Sequence, residues 1–348
     1  MINIINYTFF KVLISICLLG LSSSLLGIFI ILKKQSLLGD SISHSVLPGI
    51  ALVYMYVRNT NEWVLWLGSI LASIFCLFLM DIIKKYSKIK SDTILSLILS
   101  SFFGLGNVLI CYIQNNIEDN KIAVLEKFIL GQISLISFQN VVNIGIVSLI
   151  TLIFVIILWK ELKIFIFDEA FAKSAGFNTK IINIILNFLL ISVIIISLKL
   201  IGIILTSAFL IMPGIIARQF SDKLNWNIFI SVFITFLSGL IGSIISNQIK
   251  HMPTGPIIIV IMFCFFILSV LFAPKYGILK KYFKTKKYQA KISKFQKLIH
   301  FYYKNEYFNF QELETFLFKE KYLIFENNKI IITKKGINMI ENLISGNF

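Results

Sequence analysis

Asp40 and His44 stand four positions apart in the stretch LLGDSISHSVLPGIALVY, residues 37–54. On a helix that spacing puts a carboxylate and an imidazole on one face, a turn apart. Oxygen and nitrogen donors so placed can coordinate a divalent transition metal. The surrounding residues are apolar, and an ionisable pair in or beside a membrane span is costly enough to mark a pathway or a partner. A purely structural reading makes Asp40 a helix N-cap outside the bilayer and lets His44 bond a backbone carbonyl. Pro48 and Gly49 then interrupt the apolar run and predict a broken or kinked helix, as occurs where backbone lines a cavity.

Three further stretches depart from what membrane stability alone requires. Residues 165–178, FIFDEAFAKSAGFN, set Phe167, Phe171 and Ala175 at helical spacing opposite Asp168, Glu169 and Lys173. This predicts one short amphipathic helix stopped by Gly176, either lying on the membrane or offered to a soluble partner's groove. Residues 199–220 carry a second apolar-Pro-Gly interruption at Met212, Pro213 and Gly214, and residues 252–258, MPTGPII, open the last apolar run. His251, beside Met252, is a candidate outer ligand; His300 is read as a packing or surface residue. The chain contains no GxxxxGK[ST], HExxH, CxxC or GxSxG run, so it has no P-loop of its own and any ATP must be hydrolysed by a partner. Cys17, Cys76, Cys111 and Cys264 are scattered in apolar runs and read as small hydrophobes.

The elements that must position these residues follow from composition. Of the 348 residues 57% are hydrophobic and only 14% charged, with a mean hydropathy of +0.86. A water-soluble enzyme carries about 25% charged residues, so that class is excluded. Nine runs long enough to cross a bilayer are predicted, over residues 12–32, 41–57, 63–80, 93–117, 141–159, 181–198, 200–217, 224–249 and 252–274. Most of the 33 Lys and Arg fall into alternate connections and the C-terminal stretch, which places those in the cytoplasm and the N-terminus outside. From Lys275 onward there are 15 Lys and 6 Glu. This cytoplasmic tail reads as a small α+β unit: helices around 292–302 and 310–317, a hairpin at 322–333 turning at Asn327–Asn328, and a last helix over 334–344. The ending IITKKGINMIENLI looks like the wing and final helix of a winged-helix domain, but the chain has no room for a complete one. Nucleic-acid binding is therefore not expected of it.

Taken in order, these stretches resemble the permease subunits of bacterial ABC importers for zinc, manganese and iron. The likeness spans about residues 10–275. It rests on GDxxSHxxLPGIA (Gly39, Asp40, Ser43, His44, Leu47, Pro48, Gly49) and FDxxxAxxxG (Phe167, Asp168, Ala172, Gly176), with LxxxGxxL…P…AR and PTG in support. It implies a permease domain over 1–275, with the tail over 276–348. Asp40 and His44 would contact the metal in the pathway. Phe167, Asp168, Phe171, Ala172 and Gly176 would dock on a separate cytoplasmic ATPase. The resemblance further implies a homodimer in the bacterial inner membrane, embedded in lipid and fed by an extracytoplasmic metal-binding protein. The metal would be cargo, with no permanently bound cofactor. A permease for a metal chelate, or a carrier driven by an ion gradient, are the alternatives; the latter should show several paired intramembrane acids, which this sequence lacks.

Overall fold

The computed structural model describes residues 7–57, 62–116, 131, 136–249, 252–304, 317, 320–326 and 329–345. The chain divides into two compact units, Met1–Lys275 and Tyr276–Phe348.

The first unit is all α. Its helices are α1 (Tyr7–Leu32), α2 (Leu38–Val57), α3 (Glu62–Tyr86), α4 (Ser91–Asn116), α5 (Phe138–Ile157), α6 (Trp159–Phe167), α7 (Glu169–Ser174), α8 (Thr179–Ile201), α9 (Ile203–Phe220), α10 (Leu224–Gln248) and α11 (Thr254–Phe272). With no water in the hydrocarbon to satisfy backbone groups, a spanning chain must bond them within each segment, and helices do so. α2 lies between α3 and α4 and also touches α8 and α9, while α1 packs on α5, α9 and α10. The core gathers Phe29 of α1, Ile42, Val46, Ile50 and Tyr54 of α2, Ile94 and Leu95 of α4, and Leu190, Ile194 and Leu198 of α8. Helices α3, α4 and α5 turn large apolar side chains outward, among them Leu71, Phe78, Val108, Leu149 and Ile157. In water such a surface would aggregate; against lipid it needs no cover. The chain is thus a polytopic α-helical membrane protein.

Among the described residues seven helices are long and apolar enough to cross a membrane, against the nine runs predicted. The other two predicted runs are helical as well. α2 is made more polar by Asp40, His44 and its serines, and α9, with 18 residues, carries Pro213 and Arg218 in its second half.

Neither Pro48–Gly49 nor Pro213–Gly214 breaks its helix: α2 and α9 run through both. Proline removes one N–H and so one i→i−4 bond, and tertiary packing holds the rest of the helix. Gly49 instead serves contact. A Cβ there would come within 2.5 Å of the Gly68 carbonyl oxygen of α3, so the glycine lets two backbones approach. The interruption in this region falls at Gly202, the single residue between α8 and α9. Its φ of 87° and ψ of 165° are open essentially to glycine alone.

The second unit begins with α12 (Ile278–Lys304), much longer than the predicted helix around 292–302. It continues through β1 (Leu323–Glu326), β2 (Lys329–Ile332) and α13 (Lys334–Ser345). The strands pair antiparallel from Leu323–Ile332 to Glu326–Lys329. Phe295, Leu298, Leu317, Leu323 and Ile340 form their own core. The predicted turn at Asn327–Asn328 and most of the predicted 310–317 helix lie outside the described residues.

Candidate functional site

α2 begins at Leu38, so Asp40 sits inside the first helical turn and is not an N-cap. Its carboxylate still complements the positive helix N-terminus. The serines around it are satisfied locally. Ser41 donates to the carbonyls of Leu37 at 2.9 Å and Leu95 of α4 at 3.0 Å, Ser43 to Gly39 at 2.8 Å and Ser45 to Ile42 at 2.7 Å. Such back-bonding lets a polar helix face be buried.

His44 is held differently. Its ring stands edge-on to Phe103 of α4, centroids 5.1 Å apart. Its Nε2 lies 3.5 Å from Asp40 Oδ1, too long for a good hydrogen bond. Its buried Nδ1 has no hydrogen-bond partner among the described residues. The pair therefore has donor atoms converging without consuming one another. Ligand atoms about 2.0–2.2 Å from a tetrahedral zinc are about 3.4 Å apart, so the observed spacing already suits a shared cation. Both side chains are partly accessible, His44 at 13% and Asp40 at 28%. Among the described residues no cluster of three or more His, Cys, Asp or Glu side chains could hold a metal. Asp40 and His44 are thus two donor groups without a third such side chain beside them among the described residues.

The second candidate region is built around Asp168. The single helix predicted over this stretch is two helices, because Asp168 adopts extended backbone (φ −151°, ψ 97°) and ends α6. Its Oδ1 accepts a hydrogen bond from Phe171 N–H at 2.9 Å, capping α7. Gly176, with φ of +87°, closes the other end. Its N–H donates to Lys173 O, and the next N–H, of Phe177, donates to Ala172 O, both at 3.1 Å. This crossed pair is the Schellman arrangement that favours glycine. Ala172 is fully buried while Phe167 and Phe171 are 60% and 58% exposed. Glu169 pairs with Lys173 at 2.7 Å, and hydrogen bonding to that lysine holds its carboxyl below the usual range. The result is a short, doubly capped unit anchored by Ala172 and presenting two aromatic rings.

Lys33 was readable in sequence only as topological charge. Just past α1, it donates a hydrogen bond to Asn183 Oδ1 of α8 and lies over the ring of Phe165 of α6. Phe103 carried no signal within its apolar run. His251 lies outside the described residues.

Residues 6–273 match the ABC 3 transport family. Over 84% of this chain and 67% of its own length, the manganese transport system membrane protein MntC of Bacillus subtilis is 34% identical. The zinc transport system membrane protein TroC of Treponema pallidum is 30% identical over 81% of this chain and 94% of its own. PsaBC from Streptococcus pneumoniae, solved in complex with a Fab, superposes with a TM-score of 0.68 at 29% identity, covering 79% of this chain and 95% of that one. A shared fold, a family match over nearly the whole membrane unit and relatives at this identity agree: the chain belongs to the ABC 3 transport family.

Proposed function

We propose that the chain is the membrane permease subunit of an ATP-driven importer that carries a divalent transition metal ion, zinc, manganese or iron, into the cytoplasm. The observation that carries this reading is the Asp40–His44 pair, 3.5 Å apart with His44 Nδ1 unclaimed, on the helix between α3 and α4. Relatives bearing manganese and zinc in their names support the class of cargo. A homodimer would bring two carboxylates and two imidazoles to the pathway. That donor set suits Zn(II), Mn(II) or Fe(II), and with no thiolate or thioether it does not suit Cu(I). Binding requires the imidazole neutral and the carboxylate ionised.

The chain has no P-loop and acts as a permease without enzymatic activity of its own. A cytoplasmic ATPase docks where α6 meets α7, through Phe167 at the end of α6 and Phe171 of α7, and an extracytoplasmic metal-binding protein delivers the ion. The chain sits in the bacterial inner membrane with its N-terminus outside and its tail in the cytoplasm. No tightly held cofactor is required, and the tail is not assigned to nucleic acid.

The test is metal uptake by cells expressing Asp40→Asn or His44→Ala at normal membrane levels. Asn keeps the volume of Asp40 and forfeits only the dipole attraction of a first-turn carboxylate, about 0.3–1 kcal/mol. Loss of a ligand should instead lower uptake by about tenfold or more, since even outer-shell partners of bound metals matter on that scale. Wild-type uptake by both variants would remove the pair from the pathway.

A further inference from the structure

α12 changes its apolar face halfway along. In its second half Ile292, Phe295, Leu298 and Ile299 face the small core of the tail, with Phe295 and Leu298 buried. In its first half Ile278, Leu279, Tyr282 and Phe283 share a different face. Tyr282 and Phe295 are 13 residues apart, a little over three and a half turns, so the two faces point to nearly opposite sides. The first-half face is uncovered: Ile278, Tyr282 and Phe283 are each more than half exposed. Lys280, Lys281, Lys284 and Lys287 flank it along the other side of the same segment, and Lys286 closes the apolar face one turn after Tyr282 and Phe283, all exposed. From Lys275 to Lys304 there are ten lysines and no Asp or Glu.

A helix that exposes aliphatic and aromatic side chains on one side and lysines on the other has the build of an interfacial helix. α12 starts six residues after α11 ends at Phe272, which limits their separation to about 20 Å even if the link is fully extended. Lysines this close to a membrane span meet the negative surface of anionic lipid, a field that decays within a Debye length. Nucleic acid would use the lysines but leave Ile278 and Phe283 unexplained.

We propose that residues 276–290 form an anionic-phospholipid binding helix, with Ile278, Leu279, Tyr282 and Phe283 in the headgroup layer and the lysines on lipid phosphates. The inference rests on α11 spanning the membrane; it does not depend on the metal site.

The full chain in lipid nanodiscs tests it, since discs leave both membrane faces open and orientation does not enter. In discs containing phosphatidylglycerol, trypsin should cut the wild-type chain at Lys280–Lys287 several-fold more slowly than in phosphatidylcholine discs. High salt should abolish the difference. Spin labels on Phe283→Cys and Lys284→Cys, in a background lacking the four native cysteines, give the geometry. The first should lie in an oxygen-accessible, water-poor layer and the second in water. Each lysine changed to Gln should weaken the association about fivefold. Equal cleavage in both discs with both labels in water would overturn the proposal. So would protection by DNA with none from phosphatidylglycerol. Lost metal uptake in Asp40→Asn leaves this test unaffected, so the two readings fail separately.

Discussion

Lys33 holds its ammonium 4.8 Å from the centre of the Phe165 ring while donating a hydrogen bond to Asn183 Oδ1. One side chain thus ties the end of α1 to α6, which leads into the capped α7, and to the second turn of α8. Burial pushes its pKa down to about 8, with Lys84 adding to the shift and Glu169 and Asp81 opposing it.

The pH dependence of stability follows. The unfolded chain keeps this proton up to about 10.4, whereas the folded chain releases it near 8. Between these values the unfolded state binds more protons, so folding stability should rise with pH across the window. Below pH 8 both states are protonated and the burial penalty is constant. Thermal unfolding in detergent from pH 7 to 10.5 should show an upward slope that Lys33→Met removes. An identical slope in the variant would show that other groups set it.

The caps of α7 should matter to coupling more than to folding. Asp168→Ala removes a cap worth about 1 kcal/mol, whereas Asp168→Asn keeps an acceptor. Gly176→Ala forces a side chain into left-handed backbone at about 1–2 kcal/mol. With the ATPase present, transport per ATP should fall in Asp168→Ala and Gly176→Ala and survive in Asp168→Asn. Phe171→Ala, which leaves the caps intact, should uncouple hydrolysis from transport. Full transport per ATP in Phe171→Ala would argue against ATPase docking on this ring.

Gly49 supplies a packing test with an internal control. Its Cβ would meet the Gly68 carbonyl oxygen at 2.5 Å and Ala72 Cβ at 2.7 Å, whereas a Cβ on Gly104 would meet nothing within 4 Å. Gly49→Ala should destabilise by about 1–3 kcal/mol, the usual scale of overpacking. Gly104→Ala should be neutral or slightly stabilising. Thermal stability of the two variants in detergent distinguishes them, and equal values would mean that α2 and α3 separate freely.

Truncation after Lys275 should leave a chain that inserts and still takes up metal to some degree. The core of Phe295, Leu298, Leu317, Leu323 and Ile340 lies wholly in the removed unit. Membrane-fraction levels and uptake measure this, and failure of the truncated chain to accumulate would show that the tail is needed for folding.

The membrane class was determined by composition, because apolar runs of this length have no other stable solvent. The Asp40–His44 pairing was legible too, since a separation of four needs only a helix to bring side chains together. The same local logic placed Gly176 at the end of α7 and the strand pairing in the tail. Where tertiary contacts decide, sequence reading was less able. Pro48 and Pro213 looked like interruptions, yet neighbouring helices hold both segments helical, and the break falls at Gly202, where a positive φ is required. Asp168 split one predicted helix into two because its side chain caps the second better than its backbone continues the first. No pattern along the chain could bring Phe103 onto His44, or Lys33 onto Phe165 and Asn183. Those contacts join helices far apart in sequence, and helix packing in three dimensions alone determines them.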